Sequence, residues 1–159
     1  MTIQIKGLHH NAYRCRDSEE TRQFYEDFLG LPLAEAFEIK TTKSGRDTGV
    51  LHSFFEMADG SFLAFFEAPD MPFEFKNQHD FDLHISLEVE PEHLKDMFEK
   101  GKAAGIETRG VSDHNFIDSI YFRDPNGYVI ELSAKKGDNP NDYGKARAAL
   151  DAWQAKKAA

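Results

Sequence analysis

The apolar positions of this chain change period several times, and the changes come in an order that is used twice. Residues 8–16 alternate like a half-buried strand. The stretch DSEETRQFYEDFLG then takes a helical period. Asp17 and Glu20 stand at capping-box spacing, Phe24, Tyr25, Phe28 and Leu29 share one face, and Gly30 closes the segment. Residues 33–39 supply a weaker strand signal. Two stronger runs, TGVLHSFFEM and SFLAFFEA, flank ADG, a hairpin signal that permits a two- or a three-residue loop. From residue 81 the order recurs. DLHISLEV reads as a strand, and PEHLKDMFEKGKAAG as a helix with Pro91 near its first turn and Gly105 at its end. A loop, SIYFR, the turn DPNG and YVIELS follow. Beyond DNPND a last helix, roughly 142–157, aligns Ala146, Leu150 and Trp153. The pattern predicts an α+β chain of two βαβββ modules, about 5–69 and 80–134. They form a single domain over 1–137, followed by a helical tail over 138–159.

The repeat carries chemistry. His10 lies seven residues before Asp17, and His84 seven before Pro91, so each module places a histidine at the same distance from its helix. Each module also ends in a strand with a glutamate, Glu67 in LAFFEA and Glu131 in YVIELS. Strand alternation sorts the faces. Ile85, Leu87 and Val89 share the side that packs on a helix, while His84, Ser86 and Glu88 point the other way. Ile130 and Leu132 likewise oppose Glu131 and Ser133. A buried imidazole or carboxylate is costly unless a hydrogen bond or a metal satisfies it. His9 has the opposite parity to His10 and reads as structural.

Composition narrows the classes. A chain of 159 residues with 40% hydrophobic content fits one domain with a real core. A net charge of −9 and the lack of a basic cluster speak against nucleic acid. No apolar run is long enough to span a bilayer, and nothing near the N-terminus reads as a secretory signal. Cys15 is the only cysteine, so no intrachain disulfide forms. The expectation is an acidic cytoplasmic protein without a membrane partner.

The stretches HHNAYRCRDSEETRQFYEDFLGLPL, HISLEV and FRDPNGYVIEL together resemble the vicinal oxygen chelate superfamily. It includes glyoxalase I, extradiol dioxygenases, fosfomycin-resistance enzymes and bleomycin-binding proteins. The resemblance covers roughly residues 5–134 and implies two modules forming a cup of mixed sheet around a divalent metal. It implies His10, His84 and Glu131 as metal ligands, with Glu67 as a fourth in the glyoxalase-like version. Fe, Mn, Co, Ni and Zn all suit such donors. The substrate would be a small molecule offering neighbouring oxygens to the ion. The cup closes within a chain or across a homodimer in this superfamily, and a dimer is expected here.

Three functions follow from the resemblance. A glyoxalase-like isomerase or lyase is favoured by Glu67 as a fourth ligand, with Glu131 moving the proton. Arg14, four residues after His10, stands where glyoxalase I holds glutathione. EAPDM, with Met71 in the place of that enzyme's asparagine, leaves the use of glutathione open. The alternative is an extradiol ring-cleavage dioxygenase. In a three-residue DPNG loop Tyr121 sits across from Glu131, where those enzymes keep a hydroxyl, and His114 is a candidate acid–base partner. A non-enzymatic binding protein is the further alternative. His52 is a candidate for acid–base work whose position depends on the ADG register.

Overall fold

The structure, a computed structural model, describes residues 5–41, 43–138 and 141–157. It contains strand β1 (His10–Cys15), helix α1 (Ser18–Arg22), β2 (Leu33–Thr41), β3 (Asp47–Glu56), β4 (Phe62–Glu67), β5 (His84–Glu88), α2 (Pro91–Ala103), β6 (Thr108–Asp113), β7 (Ile117–Arg123), β8 (Val129–Lys135) and α3 (Tyr143–Lys157). The strands make two four-stranded mixed sheets of one topology, β1-β4-β3-β2 and β5-β8-β7-β6. In each, the first strand runs parallel to the last and the other pairs are antiparallel. This is the α+β architecture of two βαβββ modules that the pattern predicts.

Local chemistry explains the elements. Asp17 caps α1 by accepting the Glu20 N–H at 2.8 Å. The helix then widens into a π-helical stretch, Gln23–Phe28, in which Leu29 N–H reaches back to the Phe24 carbonyl at 3.0 Å. That widening lets Phe24, Tyr25 and Phe28 all enter the core. In the ADG hairpin, Met57 N–H donates to the Ser61 carbonyl at 2.8 Å around a three-residue loop. The DPNG hairpin is built the same way, with Asp124 paired to Tyr128.

The outer strands were the least legible. Thr108–Asp113, read from sequence as loop, is the edge strand β6. It bonds to one neighbour only, carries Gly110, and slips register between Gly110 and Ser112, so no alternation marks it. The weak signal at 33–39 is β2, nine residues long and almost wholly exposed at the corresponding edge of the first sheet.

One core serves both modules. Tyr25, Phe28, Phe55 and Phe65 from the first module join Ile120, Phe122, Ile130 and Leu132 from the second in one buried cluster. The rings of Phe28 and Phe122 meet edge to face at 5.2 Å. Tyr25 donates its hydroxyl to the buried Asp124 carboxylate at 2.9 Å. The helix-covered faces of both sheets therefore pack on the same interior, and their open faces lie outside it. The DPNG turn pins the modules together. Asn126 Oδ1 accepts the Arg16 N–H at 2.8 Å, and Tyr128 donates its hydroxyl to the Arg14 carbonyl at 2.7 Å. Helix α3 buries none of its residues, and Tyr143, Leu150 and Trp153 are exposed. Among the described residues, no helix is long and apolar enough to cross a membrane.

Gly127 tests this junction. Its φ is +95°, and a Cβ there would fall 2.2 Å from the Lys76 carbonyl oxygen. Gly127→Ala should lower unfolding free energy by about 1–3 kcal/mol, read from urea denaturation. Cys15 offers a second test. It is 2% exposed, and burial pushes its thiol up to about 11. At pH 8 a disulfide reagent should modify it at least ~100-fold more slowly in native than in unfolded protein, because the thiolate is the reacting species.

Candidate metal centre

Strand β8 is buried on both sides. Ile130, Leu132 and Ala134 enter the core, while Glu131 and Ser133 line the open face of the second sheet. Glu131 is only 6% exposed, so its carboxylate needs partners. Ser133 donates its hydroxyl to Glu131 Oε1 at 3.0 Å. The Ser86 and Ser119 hydroxyls lie 2.8 and 3.1 Å from that of Ser133. The other oxygen, Oε2, lies 3.4 Å from His84 Nε2.

The orientation of His84 is fixed from its far side. Nδ1 lies 2.6 Å from the Asp80 carbonyl oxygen. A carbonyl oxygen only accepts, so Nδ1 carries the hydrogen, and Nε2 is the nitrogen that faces Glu131. A ring nitrogen and a carboxylate oxygen facing each other take a proton or a cation between them. Donor atoms each about 2.1 Å from one ion at a tetrahedral angle lie roughly 3.4 Å apart. The observed spacing fits a divalent metal, and a backbone carbonyl on the remote nitrogen is the usual support of a metal-binding histidine.

Across the open face the register aligns Arg109, Tyr121, Glu131 and Ser86 in one row. Tyr121 thus stands opposite Glu131, as the three-residue DPNG loop requires. Its hydroxyl lies 2.8 Å from His114 Nε2. Burial, then the nearby Glu131 charge, hold the phenol above its ordinary range, so it stays protonated at neutral pH. His114 is carried by the β6–β7 connection, where its N–H bonds to the Ile117 carbonyl at 2.9 Å.

The first module places its residues differently. His10 lies opposite Phe62 on the open face, as His84 lies opposite Val129. Its Nδ1 is 2.8 Å from that of His9, and its ring meets those of Phe54 and His52. His52 is buried, bonds through Nδ1 to the Phe65 carbonyl at 2.9 Å, and stacks on Phe66 at 3.8 Å. It sits opposite Phe66, not Glu67. With Phe37 it completes an aromatic wall beside His10.

Glu67 does not occupy the place equivalent to Glu131. Register puts Ala64 there: Ala12, two residues after His10, pairs with Ala64, just as Ser86, two after His84, pairs with Glu131. Glu67 shares parity with Leu63 and Phe65, on the helix-covered side, where its Oε2 accepts the Ser18 N–H at 2.7 Å. Its carboxylate supports the start of α1, so the structure gives the open face no fourth donor from Glu67. Arg14 is likewise committed locally. Its Nη2 donates to the Ala68 and Met71 carbonyls at 3.0 and 2.7 Å, and its guanidinium covers Phe73 at 5.2 Å.

Among the described residues, no three His, Cys, Asp or Glu side chains of one chain gather closely enough to hold a metal. His84 and Glu131 come together, and His10 stands on the other module's open face. Sequence reasoning missed Asp80 and Arg109, which carry no motif. It also left the serine ladder unremarked, although Ser86 and Ser133 share parity with His84 and Glu131.

Comparison with known proteins agrees with this architecture. The chain is 29% identical over 133 residues to metallothiol transferase FosB of Bacillus licheniformis, covering 81% of this chain and 75% of that protein. A glyoxylase/bleomycin resistance protein/dioxygenase domain from Frankia sp. EAN1pec superposes with a TM-score of 0.69 at 17% identity, over 84% of this chain and all of that one (100%). A Glu-to-Gln mutant of the fosfomycin resistance protein FosX of Listeria monocytogenes, in complex with Mn(II) and 1S,2S-dihydroxypropylphosphonic acid, superposes with a TM-score of 0.60 at 23% identity, over 84% and 95% of the two chains. The profile of the Glyoxalase/Bleomycin resistance protein/Dioxygenase superfamily matches residues 7–132, and the chain belongs to that superfamily.

Proposed function

We propose that this chain is a divalent-metal-dependent enzyme whose site is completed by two copies, and that it opens the ring of a small catechol-like substrate with dioxygen. His84 and Glu131 of one copy, with His10 of the other, would hold the ion. Bound there, a divalent metal supplies Lewis acidity to two neighbouring substrate oxygens. The observation that carries the reaction class is the Tyr121–His114 pair at 2.8 Å, on the strand facing Glu131. A protonated phenol in that row donates a hydrogen bond to a substrate oxygen. The imidazole behind it receives or returns a proton through the hydroxyl. The aromatic wall of Phe37, His52, Phe54 and Phe66 around His10 suits a flat ring better than an anionic chain.

The reading of a proton-transfer isomerase or lyase leaned on Glu67 as a fourth ligand. With Glu67 engaged at Ser18, that support is lost, and three donors leave more positions for substrate and oxygen. A second reading, thiol transfer to a small electrophile, is favoured by the identity to FosB. Against it, Arg109, the cation in the Glu131 row, is already engaged by Asp80.

Stripped protein should gain melting temperature on adding Mn(II) or Fe(II), and His84→Ala should lose most of that gain. Oxygen uptake with a panel of catechols should fall about 100-fold in Tyr121→Phe and persist in Glu67→Gln. Thiol conjugation without oxygen uptake, followed by mass spectrometry, would favour the transferase instead. Co-refolding inactive His10→Ala with inactive His84→Ala should restore about a quarter of wild-type activity, since random pairing leaves one intact site in half of the dimers. No recovery would mean that each site is built within one chain.

A further inference from the structure

The segment between the modules, residues 76–83, is tied down by the second sheet at three places. Gln78 N–H donates to the Gly127 carbonyl at 2.9 Å. Arg123 Nη1 donates to the Gln78 carbonyl at 3.0 Å and to that of Gly127 at 3.1 Å. Arg109, on edge strand β6, grips the Asp80 carboxylate with both terminal nitrogens at 2.8 Å. Asp80 then offers its own carbonyl oxygen to His84 Nδ1 at 2.6 Å. The same guanidinium lies over the Tyr121 ring, 5.6 Å from its centre. One side chain thereby touches the strand row that carries Tyr121 and the segment that orients His84.

We infer that Arg109 and Asp80 form a positioning clamp that holds His84 in its Nδ1–H tautomer, with Nε2 aimed at Glu131. The inference rests on the reading of His84 as a metal ligand and deepens it. The clamp is half-exposed, with side-chain accessibilities of 43% and 37%, so its worth to overall stability is small. Its value is geometric. A planar guanidinium held at two oxygens fixes the Asp80 backbone in place and direction, which a lysine does not. The hydrogen bond lowers the Asp80 carboxyl below the ordinary range, so the pair stays charged wherever histidines titrate. Without the clamp, the Asp80 carbonyl swings with the segment, and the imidazole is released to the Nε2–H tautomer that free histidine prefers. That tautomer carries its lone pair on Nδ1, turned away from Glu131.

The test compares wild type with Arg109→Ala, Asp80→Ala and the double variant, all metal-free at pH 8. The His84 ring nitrogens are read by 15N NMR and assigned against His84→Gln. Wild type should keep the hydrogen on Nδ1, with or without a proton between Nε2 and Glu131. Both single variants should populate the form with Nδ1 bare and Nε2–H, and the double variant should change no further, because the two residues act as one unit. Zn(II) affinity by calorimetry should fall about tenfold in each variant, with Arg109→Lys intermediate. Unchanged His84 tautomer in both single variants would overturn the clamp, as would additive effects in the double. If wild type holds Zn(II) no better than His84→Gln, the metal reading fails, while the tautomer shift still decides the clamp. Should one single variant fail to fold, the tautomer of the other decides alone.

Discussion

Everything in this molecule follows from both sheets burying their helix-covered faces in one core. Tyr25, Phe28 and Phe65 on one side and Phe122, Ile130 and Leu132 on the other cannot be satisfied separately. Burial at about 25 cal/mol per Å² of apolar surface makes this contact the dominant favourable term. The Tyr25–Asp124 hydrogen bond and the Asn126 contacts then fix its register. The geometric consequence is severe. Once the helix faces are joined, the open faces lie outside the shared core, and His10 falls on a different surface from His84 and Glu131. On the proposed function, it is a second copy that brings His10 to His84 and Glu131.

Much of this was legible in the sequence, for definite reasons. Strand parity has period two, so Ile130 and Leu132 inward means Glu131 outward, with no further information needed. The Tyr121–Glu131 pairing followed from DPNG, because a glycine in the left-handed region fixes a three-residue loop. Proximity of His114 to Tyr121 was readable from the short distance along the hairpin. The edge strands β2 and β6 were faint, since an exposed edge is under little pressure to alternate.

The placement of Glu67 is the instructive failure. In sequence both glutamates stand near the end of an apolar run, LAFFEA and YVIELS, and that was read as equivalence, although Glu67 closes β4 while Glu131 is the third residue of β8. The signal lay in the hairpin glycines. Glu131 is the fourth residue after Gly127, and the fourth after Gly60 is Ala64. Glu67 is three positions further on, an odd step that moves it to the opposite face. A strand slips function from one surface to the other with a single miscount. Counting from turns is therefore safer than counting from strand ends.

The two open faces are also chemically unlike. The first presents rings, with His52 stacked on Phe66 and Phe54 beside His10. The second presents a row of polar groups, Arg109, Tyr121, Glu131 and Ser86, backed by a serine ladder. A duplicated module has thus diverged into an apolar wall and a polar floor. The wall supplies shape and dispersion but little charge. The floor supplies proton donors and acceptors held in register by backbone hydrogen bonds rather than by flexible loops, which is what precise chemistry requires. Among the described residues neither face alone gathers three candidate metal donors: His10 stands among the rings, and His84 and Glu131 stand together on the floor. The proposed apposition of wall and floor across two copies would join the three. Glu131 tolerates 6% exposure because Ser133 and His84 of its own chain meet its two oxygens, whereas its counterpart, Ala64, carries no charge that needs a partner.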